Sequence, residues 1–221
     1  MTLNELIHAC QSDWDEYTKH SFVETLADGS LDPKAYLHYL KQDYLFLKQY
    51  SRAYALAIYK SDRLDEMRAA LPSLALLLDH EMEHHVQICE GHGIARDALE
   101  DEPEDFGTVA YTRYVLDTGM AGDVIDLYTA LAPCAIGYAQ IGKRLGHMSA
   151  EQLQQTPYAS WIEMYSSAEF QDGSEKTAAA LNQQLAEIDL NSRRGQRLCH
   201  IFKTATRMEV AFWQQGLDAV N

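Results

Sequence analysis

The chain is short of positive charge, of clustered cysteine, of long apolar runs and of linker sequence, and each shortage removes a class of function. Its 221 residues carry 18 Lys and Arg against 33 Asp and Glu, a formal net charge of −15. A surface this acidic repels phosphate backbones and anionic lipid, so neither nucleic acid nor membrane is expected as a partner. No stretch approaches the roughly 18 consecutive apolar residues that a membrane-crossing helix needs. The opening Met-Thr-Leu-Asn-Glu-Leu-Ile-His has no basic region leading into an apolar run, so no secretory leader is expected. Cys10, Cys89, Cys134 and Cys199 form neither a C-x-x-C pair nor a metal-ligand spacing, which predicts free thiols and a cytoplasmic protein. There is no Pro/Gly/Ser linker, low-complexity tract or internal repeat, and no alternating pattern that reads as a strand. With 47% hydrophobic residues the chain has material for a substantial core. These features predict one all-α domain over residues 1–221, a bundle of long helices with functional groups inside.

The helix boundaries follow from capping chemistry. Thr2-x-x-Glu5 is a capping box opening a first helix that reaches about His20. Asp32-Pro33 reads as N-cap and first residue of a second, running to about Tyr59. A short piece starts at Ser61-Asp62, and Pro72 opens a long helix stopped by Gly91-His92-Gly93. The acidic segment from Arg96 to Phe106, containing Pro103, reads as a loop. Helices are expected from about Gly107 to Thr118 and from Gly122 to Leu145. Two shorter ones open at Ser149-x-x-Gln152 and Thr156-Pro157, and the last two span Lys176–Glu187 and Asn191–Gly216.

Three groups on these helices carry chemistry. Leu127, Leu131, Cys134, Tyr138, Ile141 and Leu145 share one face at 3.6 residues per turn, so a thiol sits within an apolar stripe. A lone cysteine in that setting is usually a small core residue. Here Pro133 precedes it, removing an N–H and crowding the Thr129 carbonyl, which bends the helix or breaks its ladder. Ala132, Ala135 and Gly137 keep the surroundings small. On the second helix Asp43 lies on a stripe with Tyr36, Leu40, Leu47, Tyr50 and Tyr54. On the last helix Glu209 lies with Phe202, Ala205, Phe212, Trp213 and Gly216. An ionised carboxylate on such a face costs several kcal/mol to bury, so each must be paired, hydrogen-bonded or used. Burial should raise both pKa values.

Glu81-x-x-His84 has the spacing of a carboxylate-bridged di-iron bundle, but no second Glu-x-x-His exists, and Trp213 stands one turn after Glu209. An incomplete ligand set is not a metal site. Glu81 and His85 therefore read as supporting or structural groups, and His80 and His84 as solvent-facing. The chain is rich in aromatics, with 13 Tyr, 3 Trp and 6 Phe. Most must be core. Tyr111, Tyr138, Tyr165 and Phe212 lie on or near inward faces, where rings, hydroxyls and carboxylates would suit a flat, nitrogen-bearing heterocycle.

The ordered set of motifs along the chain resembles the TenA family, the thiaminase II or aminopyrimidine aminohydrolase group. The matching residues are His20-Ser21-Phe22 with Leu26 to Leu31, Tyr39 to Phe46 around Gln42-Asp43, and Ala110-Tyr111-Thr112. Pro133-Cys134 with Gly137-Tyr138, Trp161 to Ser167 around Tyr165, and Arg207-Met208-Glu209 with Phe212-Trp213 complete it. The resemblance implies an all-α, haem-oxygenase-like bundle, usually a homotetramer, with no metal or organic cofactor. It implies small-molecule substrates: 4-amino-5-aminomethyl-2-methylpyrimidine, hydrolysed to the hydroxymethyl pyrimidine and ammonia, and thiamine, cleaved to that pyrimidine and the thiazole alcohol. Cys134 matches the nucleophile of the family's cysteine-type subgroup, Glu209 the proton donor and acceptor, and Asp43 the carboxylate on the pyrimidine amino group. Phe46, Tyr111, Tyr138, Tyr165 and Phe212 match substrate-binding positions, Phe46 standing where many members carry tyrosine. Two other readings stay open: a non-catalytic regulatory or interaction protein, and a haem- or metal-dependent oxidase on the same bundle.

Overall fold

A computed structural model describes residues 1–220, except for the side chain at residue 80, and the described residues form helices and no strands. The expected solvent-facing place of His80 lies outside the described residues. Thr2 caps α1 (Leu3–Ala9) through the box read in the sequence, its hydroxyl accepting from Glu5 N and Glu5 accepting from Thr2 N. The first helix does not reach His20: Cys10 leaves the helical region (φ −130°, ψ 34°) and α2 (Gln11–Thr18) starts afresh. α3 (Ser21–Asp28) is capped by the His20 ring, which accepts from Phe22 N at 3.2 Å. It ends on Gly29, whose φ of +80° an L side chain would resist. α4 (Pro33–Lys60) matches its expected bounds.

Pro72 does not open a helix. α5 (Leu64–Leu76) runs through it and continues by a π-turn at Leu77–Glu81 into α6 (Met82–Gly91). Pro72 and Arg68, whose carbonyl loses its donor, are both exposed, so solvent can supply the missing bond. α7 (Arg96–Glu100) takes the first half of the expected acidic loop. α8 (Phe106–Ala121) and α9 (Val124–Leu145) follow, α9 unbroken at Pro133. α10 (Ala150–Gln155) carries the predicted Ser149–Gln152 capping box, and α11 (Ala159–Ser166) follows. α12 (Ala168–Leu185) starts ahead of Lys176 because Ser167 caps it, accepting from Phe170 N. α13 (Arg193–Asp218) closes the chain. Among the described residues α9 alone is long and apolar enough to cross a bilayer, yet 61% of its most apolar window is buried, as in a core helix.

The helices gather into two compact units. One comprises Met1–Asp32 and Thr129–Gln214, the other Pro33–Tyr128 with the segment from Gln215. In the first, α1 packs on α2 and α12, α3 on α10, and α11 on α12. Its core holds a stacked Trp14–Phe202 pair, centroids 5.6 Å apart, and a stacked Phe22–Trp213 pair at 5.0 Å.

In the second unit α4 is the hub, in contact with α5, α6, α7 and α8. Five successive residues, Gln42 to Phe46, are buried, which no single amphipathic face requires; neighbours enclose the helix there. Its side toward residues 100–105 is held by polar side chains. His38 meets Asp105 at 2.6 Å, Lys41 meets Glu102 at 3.0 Å, and Tyr44 and Lys48 both donate to Glu100. Buried Gln42 uses both ends of its amide. Its Nε2 donates to Pro103 O at 3.0 Å, and its Oε1 accepts from Asp105 N at 2.9 Å and Thr108 Oγ1 at 2.7 Å.

Candidate functional site

The expected site residues fall into two clusters, one in each unit. In the Pro33–Tyr128 unit the cluster is built on α4. Asp43 is 3% exposed, and burial pushes its carboxyl up to about 7. The Tyr39 hydroxyl, donating to Asp43 Oδ2 at 3.3 Å, works against that rise, and the Glu81 carboxylate adds to it. The expectation of a raised pKa is met here because desolvation outweighs the one hydrogen bond. His85 on α6 completes the group: its Nε2 lies 2.5 Å from Leu40 O, and its Nδ1 lies 3.4 Å from Asp43 Oδ2. Burial pushes the His85 ring down to about 4. Phe46 and Tyr111 are both buried and meet ring to ring, centroids 5.0 Å apart at 38°. Phe46 also stacks on Tyr50 at 5.4 Å. This cluster thus presents a protonatable carboxyl beside a wall of aromatic rings.

In the other unit the cluster is built on α9. Cys134 is partly exposed and Tyr138, one turn later, is buried. The Tyr138 ring lies 4.9 Å from Tyr165 of α11 and 5.2 Å from Trp213 of α13. α13 carries Glu209, 1% exposed, and Phe212, 2% exposed. The apolar stripe read around Glu209 is buried as expected, including Phe202, Ala205 and Trp213. Two glycines let neighbours approach α9 closely. A β-carbon on Gly137 would overlap the Tyr17 ring, whose hydroxyl donates to Pro133 O at 3.3 Å. A β-carbon on Gly142 would overlap the Tyr165 carbonyl. Pro133 therefore costs α9 one backbone bond without ending it.

Cys10 and Cys89 are buried, and Cys134 and Cys199 are partly exposed. Burial pushes Cys10 up to about 11 and Cys89 up to about 12, and burial also raises Cys199. Those three are held away from the reactive thiolate form. Glu81 is half-buried with its pKa raised by burial, and His84 is exposed. Among the described residues no group of three or more His, Cys, Asp or Glu side chains is placed to hold a metal ion.

The hydrogen bonds of Tyr39 and Gln42, two residues that the sequence names only as part of the family motif, and the Asp43–His85 contact were not foreseen. The Tyr39 bond could have been found, since Tyr39 precedes Asp43 by one helical turn. The partners of Gln42 and His85 lie 42 to 66 residues away in sequence, and no local pattern signals them.

The chain is similar to known proteins along nearly its whole length. The model of the TENA/THI-4/PQQC family matches residues 7–219. The aminopyrimidine aminohydrolase of Halalkalibacterium halodurans is 32% identical, over 96% of this chain and 94% of its own. A TenA family transcription regulator of Silicibacter sp. TM1040 superposes with a TM-score of 0.92 at 41% identity, covering 98% of this chain and 96% of its own. A Shewanella denitrificans domain of unknown function with a heme oxygenase-like fold superposes at 0.75 with 13% identity, over 99% of this chain and 93% of its own, which bears on the fold alone.

Proposed function

Because the chain belongs to the TENA/THI-4/PQQC family and has a haem-oxygenase-like fold, we propose that it is a thiamine-salvage hydrolase acting at the exocyclic carbon of an aminopyrimidine. Its substrates are 4-amino-5-aminomethyl-2-methylpyrimidine, which yields the hydroxymethyl pyrimidine and ammonia, and thiamine, which yields that pyrimidine and the thiazole alcohol. The Cys134 thiolate adds to a ring carbon while Glu209 gives a proton to a ring nitrogen. The ring loses aromaticity, and its electrons expel ammonia from the protonated aminomethyl group, or the neutral thiazole from thiamine. Water then adds to the exocyclic carbon and releases one proton to solvent, Glu209 takes back the ring-nitrogen proton, and the thiolate leaves as the ring recovers. Asp43 binds the pyrimidine amino group, and Phe46, Tyr111, Tyr138, Tyr165 and Phe212 hold the ring. The chemistry calls on no metal or organic cofactor, and the protein acts as a cytoplasmic homotetramer.

The observation that carries the cysteine mechanism is the setting of Cys134, a partly exposed thiol on the helix that carries buried Tyr138, whereas Cys10 and Cys89 are buried. The relatives favour the reaction class, since the Halalkalibacterium protein is called an aminopyrimidine aminohydrolase. The test is incubation with each substrate, measuring ammonia and thiazole alcohol. Wild type should release one or both, and Cys134→Ala and Cys134→Ser should lose at least about 10³-fold in turnover while still binding the pyrimidine. Cys10→Ser, Cys89→Ser and Cys199→Ser should remain active. A wild-type protein that releases neither product would return the chain to the regulatory reading that the Silicibacter relative's description offers. Full turnover in Cys134→Ala would remove the covalent step alone.

A further inference from the structure

Asp43 and His85 form a buried pair whose geometry limits where a proton can sit. The Leu40 carbonyl can only accept, so the His85 nitrogen 2.5 Å from it, Nε2, carries hydrogen. In a neutral imidazole the other nitrogen, Nδ1, is then a bare acceptor, and it faces Asp43 Oδ2 at 3.4 Å. An ionised Asp43 would set a carboxylate oxygen against that lone pair. A protonated Asp43 instead turns the contact into O–H to N. The side chains are 8% and 4% exposed, so water is a poor substitute for either partner. The Tyr39 hydroxyl also approaches Oδ2. Among the described residues both polar contacts therefore fall on the same oxygen, and Oδ1 is left to meet a ligand.

We propose that His85 is a positioning residue that draws the Asp43 proton onto Oδ2, so that Asp43 shows a ligand a bare acceptor at Oδ1. The ligand class this selects is a ring bearing an exocyclic amino group. An amino N–H finds an acceptor, whereas the oxo counterpart would bring a carbonyl against another acceptor and be rejected. No proton is consumed; it stays between Oδ2 and Nδ1. The directions of titration agree, with burial raising the carboxyl and lowering the imidazole so that both are neutral when the proton is on Oδ2. The other titratable groups bearing on the pair are Tyr39, Glu81, which raises Asp43, His84, which lowers His85, and Cys89, whose thiol Asp43 helps to raise. This inference rests on the proposed reading of Asp43 as the residue that binds the amino group.

Two substitutions separate the Nδ1 role from the Leu40 anchor. His85→Asn places an amide oxygen near the Nδ1 position but forfeits the link to Leu40. His85→Gln keeps a donor near the Nε2 position but removes the acceptor at Nδ1. Calorimetric affinities for 4-amino-5-hydroxymethyl-2-methylpyrimidine and for its 4-oxo counterpart give a selectivity ratio for each protein. Wild type should prefer the amino compound by about 100-fold or more, since a site built for a donor leaves buried groups unpaired with the wrong ligand. His85→Asn should stay within about tenfold of that ratio, and His85→Gln should fall below about tenfold selectivity, partly through tighter binding of the oxo compound. Selectivity kept in His85→Gln and lost in His85→Asn would overturn the proposal and leave His85 as an anchor on Leu40. An unchanged ratio in both would also overturn it. A wild type that binds neither pyrimidine would instead overturn the assigned substrate class. Should either variant fail to fold, nitrogen NMR of the wild-type histidines decides the matter: the proposal requires hydrogen on Nε2 and none on Nδ1 at neutral pH, and the opposite tautomer ends it.

Discussion

The two sides of α4 spend buried polarity in opposite ways. Toward residues 100–105, Gln42 satisfies both ends of its amide with three hydrogen bonds, and His38, Lys41, Tyr44 and Lys48 each find an acidic partner. Toward α6, Asp43 is equally buried but, among the described residues, has only Tyr39 and His85 as polar partners, and its carboxyl is pushed far from its ordinary range. Neighbouring residues in the sequence thus differ in kind. The amide closes a structure, whereas the carboxyl carries a desolvation cost that a fold-building residue would not. A saturated polar group leaves nothing for a ligand to bond, and an undersatisfied one beside aromatic rings does.

Substitutions that exchange these characters test the contrast. The largest effect should come at Asp43. Steady-state kinetics should show kcat/KM falling about 10²- to 10³-fold for Asp43→Leu, which has neither polar atom, and less than about tenfold for Asp43→Asn, whose amide can donate toward His85 and accept from the ligand amino group as a protonated carboxyl does. The stability of Asp43→Asn should rise. The native Asp43 pKa, about 7, lies above its ordinary 3.8, so the native state holds a proton that the unfolded chain releases between those values. Asp43 therefore lowers stability as pH rises from about 4 to 7. Denaturant unfolding across that range should show Asp43→Asn gaining on wild type, by on the order of 2–4 kcal/mol, and levelling off above it. His85 runs in the opposite sense: its native pKa is lowered from 6.5 to about 4, so its contribution is lost as pH falls through that window. A flat difference between Asp43→Asn and wild type would mean the carboxyl is not buried in solution.

Gln42→Ala should give the next largest effect, now on stability rather than chemistry. It strands the Asp105 N–H and the Pro103 carbonyl and leaves the Thr108 hydroxyl only the bond it accepts from Gln215 Nε2, and should cost about 2–3 kcal/mol in chemical denaturation. The remaining native fraction should turn over substrate at close to the wild-type kcat. The smallest effect belongs to Lys41→Met. Its 3.0 Å pair with Glu102 is partly exposed, and such pairs contribute less than about 1 kcal/mol. A loss from Lys41→Met equal to that of Gln42→Ala would mean that charge, rather than amide satisfaction, holds the 100–105 segment.

These two sides were not equally legible. Asp43 and Glu209 could be read because a carboxylate breaks an apolar stripe wherever the fold puts that stripe, and both are buried. The Thr2 and Ser149 capping boxes and the Pro33 start were legible because their partners lie within one turn. The break at Cys10 and the passage of α5 through Pro72 were not, since each depends on what surrounds the helix rather than on propensity. The π-turn at Leu77–Glu81 hides more than itself. A π-turn adds a residue to one turn, so a helical wheel carried from Pro72 toward Gly91 misplaces everything beyond it, His85 included, by about one residue's rotation.

The close seat of Tyr17 against Gly137 bears on how this sequence can drift. With no room for a β-carbon there, Gly137→Ala demands a move of the Tyr17 ring, and that ring also holds the Pro133 carbonyl. Neither position can change first without a penalty, yet a smaller residue at 17 would make room for alanine at 137. The two sites should thus be epistatic, with the double variant recovering part of the loss of Gly137→Ala. Because the lock sits one turn from Cys134, lineages that keep the thiol should accept change at 17 and 137 together or not at all.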